Sequence, residues 1–85
     1  MSAENHINIT LYYRENPAQQ YDLRVPIHQT VKYFIDEMDN TLHVTRKSQA
    51  KGIYQLKVLN KGLVLTDNQK MNDYPITTGD QIEIY

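Results

Sequence analysis

From Ile7 the chain alternates. Ile7, Ile9, Leu11 and Tyr13 fall on one side, Asn8, Thr10 and Tyr12 on the other. A period of two in β-branched and aromatic residues predicts a half-buried strand. Arg14 to Gln20 contains Asn16-Pro17 and reads as a turn. Tyr21, Leu23 and Val25 then alternate with Asp22 and Arg24. This second strand completes a hairpin and stops at Pro26, which has no N–H to give a ladder. The period next lengthens. Val31, Phe34, Ile35, Met38 and Leu42 recur at helical spacing, which predicts one amphipathic helix over about residues 30–42 with Thr30 as its N-cap. Asp36, Glu37 and Asp39 are expected on the helix's opposite, solvated side.

Val44 to Lys51 is polar and basic and reads as a loop. Tyr54, Leu56 and Val58 alternate with Gln55, Lys57 and Leu59 as a third strand. Asn60-Lys61-Gly62 turns into a short fourth strand, Leu63 to Thr66. Residues 66–78 read as irregular. Thr78-Gly79-Asp80 turns into a last strand carrying Ile82 and Ile84. One helix and four or five strands in 85 residues allow a single core, residues 6–85, after a flexible N-terminus over 1–5. The simplest packing lays the helix across one face of a mixed sheet. With the last strand beside the first, this is an α+β fold of the β-grasp type.

Composition narrows the function. Nine Lys and Arg against ten Asp and Glu give a net charge of −1, which disfavours a nucleic-acid binder. The absence of cysteine excludes disulfides, thiol catalysis and thiolate metal sites. No apolar run approaches the ~20 residues of a membrane span, and Met1 to Asn5 lacks the features of a signal peptide. A soluble, cytoplasmic protein is expected. His28 and His43 flank opposite ends of the helix, about 20 Å apart by helix rise, and so cannot share a metal. His43 is placed to meet the helix dipole. No nucleophile–base pair, carboxylate pair or phosphate loop is visible. The expectation is a non-enzyme without cofactor or small-molecule substrate.

Several segments resemble known proteins. Met71-Asn72-Asp73-Tyr74-Pro75-Ile76 resembles the Leu-Ser-Asp-Tyr-Asn-Ile turn of ubiquitin. Leu23-Arg24-Val25 followed by Thr30-Val31 keeps ubiquitin's strand-to-helix spacing. Tyr21 to Pro26, Lys57 to Gly62 and Asp73 to Asp80 are more similar to the YukD/EsaB family, small ubiquitin-like proteins of bacterial type VII secretion systems. The resemblance covers about residues 6–85. It implies a ubiquitin-like accessory or regulatory protein of a Gram-positive bacterium. Such a protein would dock on protein components of the machinery at their cytoplasmic face, without inserting into the membrane. In some relatives a similar domain is fused to a membrane component. The resemblance to ubiquitin also implies a Tyr74 hydroxyl docked on nearby backbone.

Ubiquitin and related sulfur carriers are conjugated through a mobile Gly-Gly tail. Ile84-Tyr85 lies within the last expected strand and has no glycine, so conjugation is not expected. Leu59 falls where ubiquitin carries the centre of its binding patch, with Leu63 and Tyr85 as neighbours on the same face. The alternative is scattered apolar residues, which are ordinary on any surface. Arg46, Lys47, Lys51, Lys57 and Lys61 form a basic stretch without an intervening acid. It reads either as a field that steers a partner or as a solvated loop. Leu59, Leu63, Tyr85, Lys57, Lys61, Arg46 and Lys47 are thus the candidate partner-binding residues. The alternative functions are a modifier or sulfur carrier, and a nucleic-acid-binding regulator using residues 46–61.

Overall fold

The computed structural model describes residues 6–85. The flexible end expected at residues 1–5 lies outside them. The elements are β1 (His6–Tyr13), β2 (Asn16–Pro26), α1 (Val31–Leu42), α2 (Lys47–Ala50), β3 (Gln55–Val58), β4 (Leu63–Thr66), a 3-10 turn (Met71–Asp73) and β5 (Gln81–Ile84). The five strands form one mixed sheet in the order β2-β1-β5-β3-β4. β5 runs parallel to β1 and antiparallel to β3, so the last strand takes the centre. This is the β-grasp arrangement expected from the sequence.

Alternation decides which side of each strand meets the helix. Ile7, Ile9, Leu11 and Tyr13 of β1, Leu56 and Val58 of β3, and Ile82 and Ile84 of β5 are buried. Val31, Phe34, Ile35 and Met38 of α1 close over them. Thr30 caps α1, its Oγ1 accepting the Tyr33 N–H at 3.2 Å. At the other end His43 adopts a left-handed conformation, φ 56°. Its N–H bonds Asn40 O, and the Val44 N–H bonds Asp39 O at 2.9 Å. This is a Schellman ending with histidine where glycine is commoner. His43 therefore serves the helix end through its backbone.

Three local expectations change. The first hairpin turn is shorter than expected, because β2 already begins at Asn16. A register shift between Tyr12 and Tyr13 absorbs the extra residues. Pro17 is tolerated because β2 is an edge strand. The loop over residues 44–51 contains the helical turn α2. Arg46, its N-cap, makes no side-chain cap bond. Glu15, in the hairpin turn, substitutes by accepting the N–H groups of Lys47 (2.9 and 3.0 Å) and Ser48 (3.3 Å).

The third change concerns Asp39 and Arg46, both expected at the surface. Both are buried, at 4% and 2% exposure. Arg46 Nε donates to Asp39 Oδ1 and Oδ2 at 3.1 and 2.9 Å. Its Nη1 donates to the main-chain oxygens of Ile53 (3.3 Å) and Tyr85 (2.8 Å). The Tyr13 hydroxyl donates to Asp39 Oδ1 at 3.0 Å. Burial, followed by the charge and hydrogen bond of Asp39, raises the Tyr13 pKa far above its ordinary value, so the hydroxyl stays protonated as a donor. Each charge thus enters the core with a partner, as a buried ion must. The network joins β1, α1, the segment before α2 and the end of β5.

Candidate partner-binding surface

The sheet face turned away from α1 carries the residues of opposite parity. Across it, Lys57 stands opposite Glu83 on one side and Val64 on the other, and Glu83 stands beside Tyr12. Directly opposed charges of opposite sign favour such pairing. Leu59 follows the same parity at the end of β3, and its N–H bonds Gln81 O at 2.8 Å. Leu59 is 38% exposed and Val64 48%. These two aliphatic side chains flank Lys57 on an otherwise polar face. Nearer β2, a cavity of about 370 Å³ is lined by both polar and apolar residues, among them Asn8, Asp22, Leu23 and Thr78.

The expected grouping of Leu59 with Leu63 and Tyr85 does not assemble. Leu63 pairs with Val58 and packs half-buried against the core, on the helix side. The β3–β4 register puts Leu63 on the same side as Val58. Tyr85 lies at the opposite end of β5 from Leu59. Its N–H bonds Gln55 O at 3.0 Å, and the Arg14 guanidinium sits 4.8 Å from its ring centroid.

The basic stretch also disperses. Arg46 is in the core. Lys47 is exposed on α2, and Lys57 is half-buried within the outer row. Lys61 folds back, its Nζ bonding Asp80 Oδ2 at 2.8 Å, Thr77 Oγ1 at 3.0 Å and the Pro75 carbonyl. The sequence reading missed Arg14, Val64 and Ile53. The alternation Leu63-Val64-Leu65 already contained the signal for Val64. Tyr74 is likewise held differently from the expectation: its hydroxyl accepts from Gln69 Nε2, a side chain rather than backbone.

Asp80 explains the position of Lys61. Its carboxylate is buried, and also accepts from Asn60 Nδ2 at 2.8 Å and the Thr77 N–H at 2.9 Å. Burial alone would oppose ionisation. The hydrogen bonds from Asn60, Lys61 and Thr77, with the Lys61 charge, overcome it and hold the carboxyl below its ordinary range. A depressed carboxylate pKa contributes stability above its unfolded value of about 3.9, and that contribution is lost as pH falls through the folded value. Asp80→Asn is therefore expected to lower the melting temperature at neutral pH, and the gap to wild type should narrow below about pH 4. A gap constant from pH 7 to 3 would show that Asp80 titrates normally.

Among the described residues no group of three or more His, Cys, Asp or Glu is placed to hold a metal ion, and no helix is long and apolar enough to cross a membrane.

Comparison with known proteins agrees with this picture. The family model for protein YukD of the WXG100 protein secretion system (Wss) matches residues 6–84. The type VII secretion system accessory factor EsaB of Staphylococcus aureus (strain Newman) is 28% identical over 79 residues, covering 93% of this chain and 95% of the relative. The protein of the same name from strain COL matches equally. Among solved structures, one described by the molecular mimicry of SUMO in promoting DNA repair superposes with a TM-score of 0.72 at 18% identity, over 99% of this chain and 95% of that one. The ubiquitin-like domain of an Arabidopsis thaliana protein gives 0.68 at 23% identity, over 100% and 81%. These likenesses concern the fold.

Proposed function

Because the chain belongs to the YukD family of the WXG100 protein secretion system, we propose that it is a non-enzymatic, ubiquitin-like accessory protein of a type VII secretion system and acts by binding other proteins. The family match across residues 6–84 carries this reading. The accessory-factor name of EsaB, aligned over nearly the whole of both chains, supports it. The partners are protein components of the machinery at its cytoplasmic face, and the docking surface is the outer sheet face around Lys57, Leu59 and Val64. The nucleic-acid alternative loses two of its cations, since Arg46 is buried and Lys61 is bonded to Asp80.

The test is binding to purified cytoplasmic domains of the host's secretion components. Leu59→Ala should weaken binding at low and high salt by about 1 kcal/mol or more, with little change in melting temperature. Lys57→Glu should weaken it mainly at low salt, because the Debye length shrinks from ~10 Å at 0.1 M to ~3 Å at 1 M. Lys61 is left intact, since its loss would strand Asp80. If neither variant changes affinity while Asp36→Lys/Glu37→Lys does, the partner reads the helix side. Absence of binding to any component would overturn the proposal.

A further inference from the structure

The fold builds a second surface from segments far apart in sequence. Glu15 in the hairpin turn accepts the main-chain N–H groups of Lys47 and Ser48. The Arg14 N–H bonds Ile84 O at 2.8 Å, and its guanidinium stacks over Tyr85. Arg46 reaches from the core to the main-chain oxygens of Ile53 and Tyr85. The hairpin turn, the segment over 46–53 and the end of β5 are thereby locked together at one end of the sheet.

Cations gather at this end. Arg14, Lys47 and Lys51 are exposed, and the Arg46 charge is matched by buried Asp39. Glu15 lies among them, and its two oxygens are occupied by main-chain donors. Three exposed cations thus gather at one end of a chain whose side chains carry a net charge of −1. Beside them Ile53 is 41% exposed, its position fixed by its N–H bond to Ser48 O at 2.9 Å.

We infer that this end, formed by Arg14, Lys47, Lys51 and Ile53, is a docking face for an acidic segment of a partner protein that carries an apolar residue. The inference rests on the protein-binding reading above and adds a second face with its own chemistry. Charge complementarity would select the partner and speed the encounter. The exposed isoleucine calls for an apolar counterpart, which a phosphate backbone does not offer. Three cations could neutralise only about three phosphates, and nucleic-acid affinity grows with the number neutralised. The cross-links through Glu15 and Arg46 hold the face in place before binding, so little ordering cost remains.

The probe is a synthetic peptide of glutamates flanking one leucine, titrated into the isotope-labelled full chain and followed by NMR. Shift changes should centre on residues 14–15, 46–53 and 84–85. Lys47→Glu/Lys51→Glu should weaken binding roughly tenfold, the loss of two exposed charge contacts and their replacement by repulsion. Raising salt from about 0.05 to about 0.5 M should weaken wild-type binding too, whereas Ile53→Ser should lower affinity at both salts. Melting temperatures show that the variants fold, and Arg14→Gln gives an independent check. Shifts around Lys57 and Leu59, no shifts, an unaffected charge-reversal variant, or tighter binding of a single-stranded oligonucleotide would each overturn the inference. No secretion component is present in this titration, so its failure leaves the accessory-protein reading standing, and failure of that reading leaves this measurement valid.

Discussion

Arg46→Ala is expected to remove about 3–5 kcal/mol of folding stability in urea denaturation, because it leaves the buried Asp39 carboxyl without its partner. Total stability for a chain of this length is on the order of 4–13 kcal/mol, so the loss is a large share of it. The main-chain oxygens of Ile53 and Tyr85 lose their donor as well. A double substitution, Asp39→Leu/Arg46→Met, separates two meanings of the result. Replacing both charges with apolar side chains removes the desolvation cost together with the attraction. The double variant should therefore recover part of the loss, the remainder reflecting the Tyr13 hydroxyl and the main-chain oxygens left without partners. An Arg46→Ala variant within about 1 kcal/mol of wild type would show that the pair is solvated in solution.

Phe34→Ala should cost about 3–5 kcal/mol, through lost burial and the cavity left beneath α1. Phe34 is fully buried, while its neighbour Tyr33 is 59% exposed. Tyr33→Ala should stay within about 0.5 kcal/mol of wild type, since it touches the surface alone. Equal losses at both positions would mean that α1 is rotated from the orientation described. The two substitutions share a helix, so their difference reports orientation rather than helix propensity.

Alternation and helical spacing made the fold readable. Ile7 to Tyr13, Leu56 and Val58, and Ile82 and Ile84 declared their faces through a period of two, and Val31 to Met38 declared the helix. The polar core was harder to read. Asp39 lies four residues after Ile35 and eight after Val31, within the apolar stripe, yet its charge argues for solvent unless its partner is known. That partner follows a chain reversal at His43 and has no local signal. Lys61 and Arg46 looked like surface cations for the same reason: their acids come from other elements. Pro17 looked like the interior of a turn because its place on an edge strand depends on sheet order. Residues 6–85 therefore revealed their backbone pattern more readily than their binding surface, where charge and exposure depend on tertiary partners.

The central position of β5 has a consequence for synthesis of the protein. Thr10 pairs with Gln81, and Val58 pairs with Ile82. Until β5 has been made, the nascent chain can form the β1–β2 and β3–β4 hairpins but cannot join them. The missing strand leaves the inner edge of β1 and the apolar undersides of both hairpins uncovered. Such open edges are templates for pairing with other chains, and ladders between distant segments form slowly. The sheet therefore closes only once β5 is available, and a chain truncated before residue 81 would hold two hairpins with an adhesive gap between them.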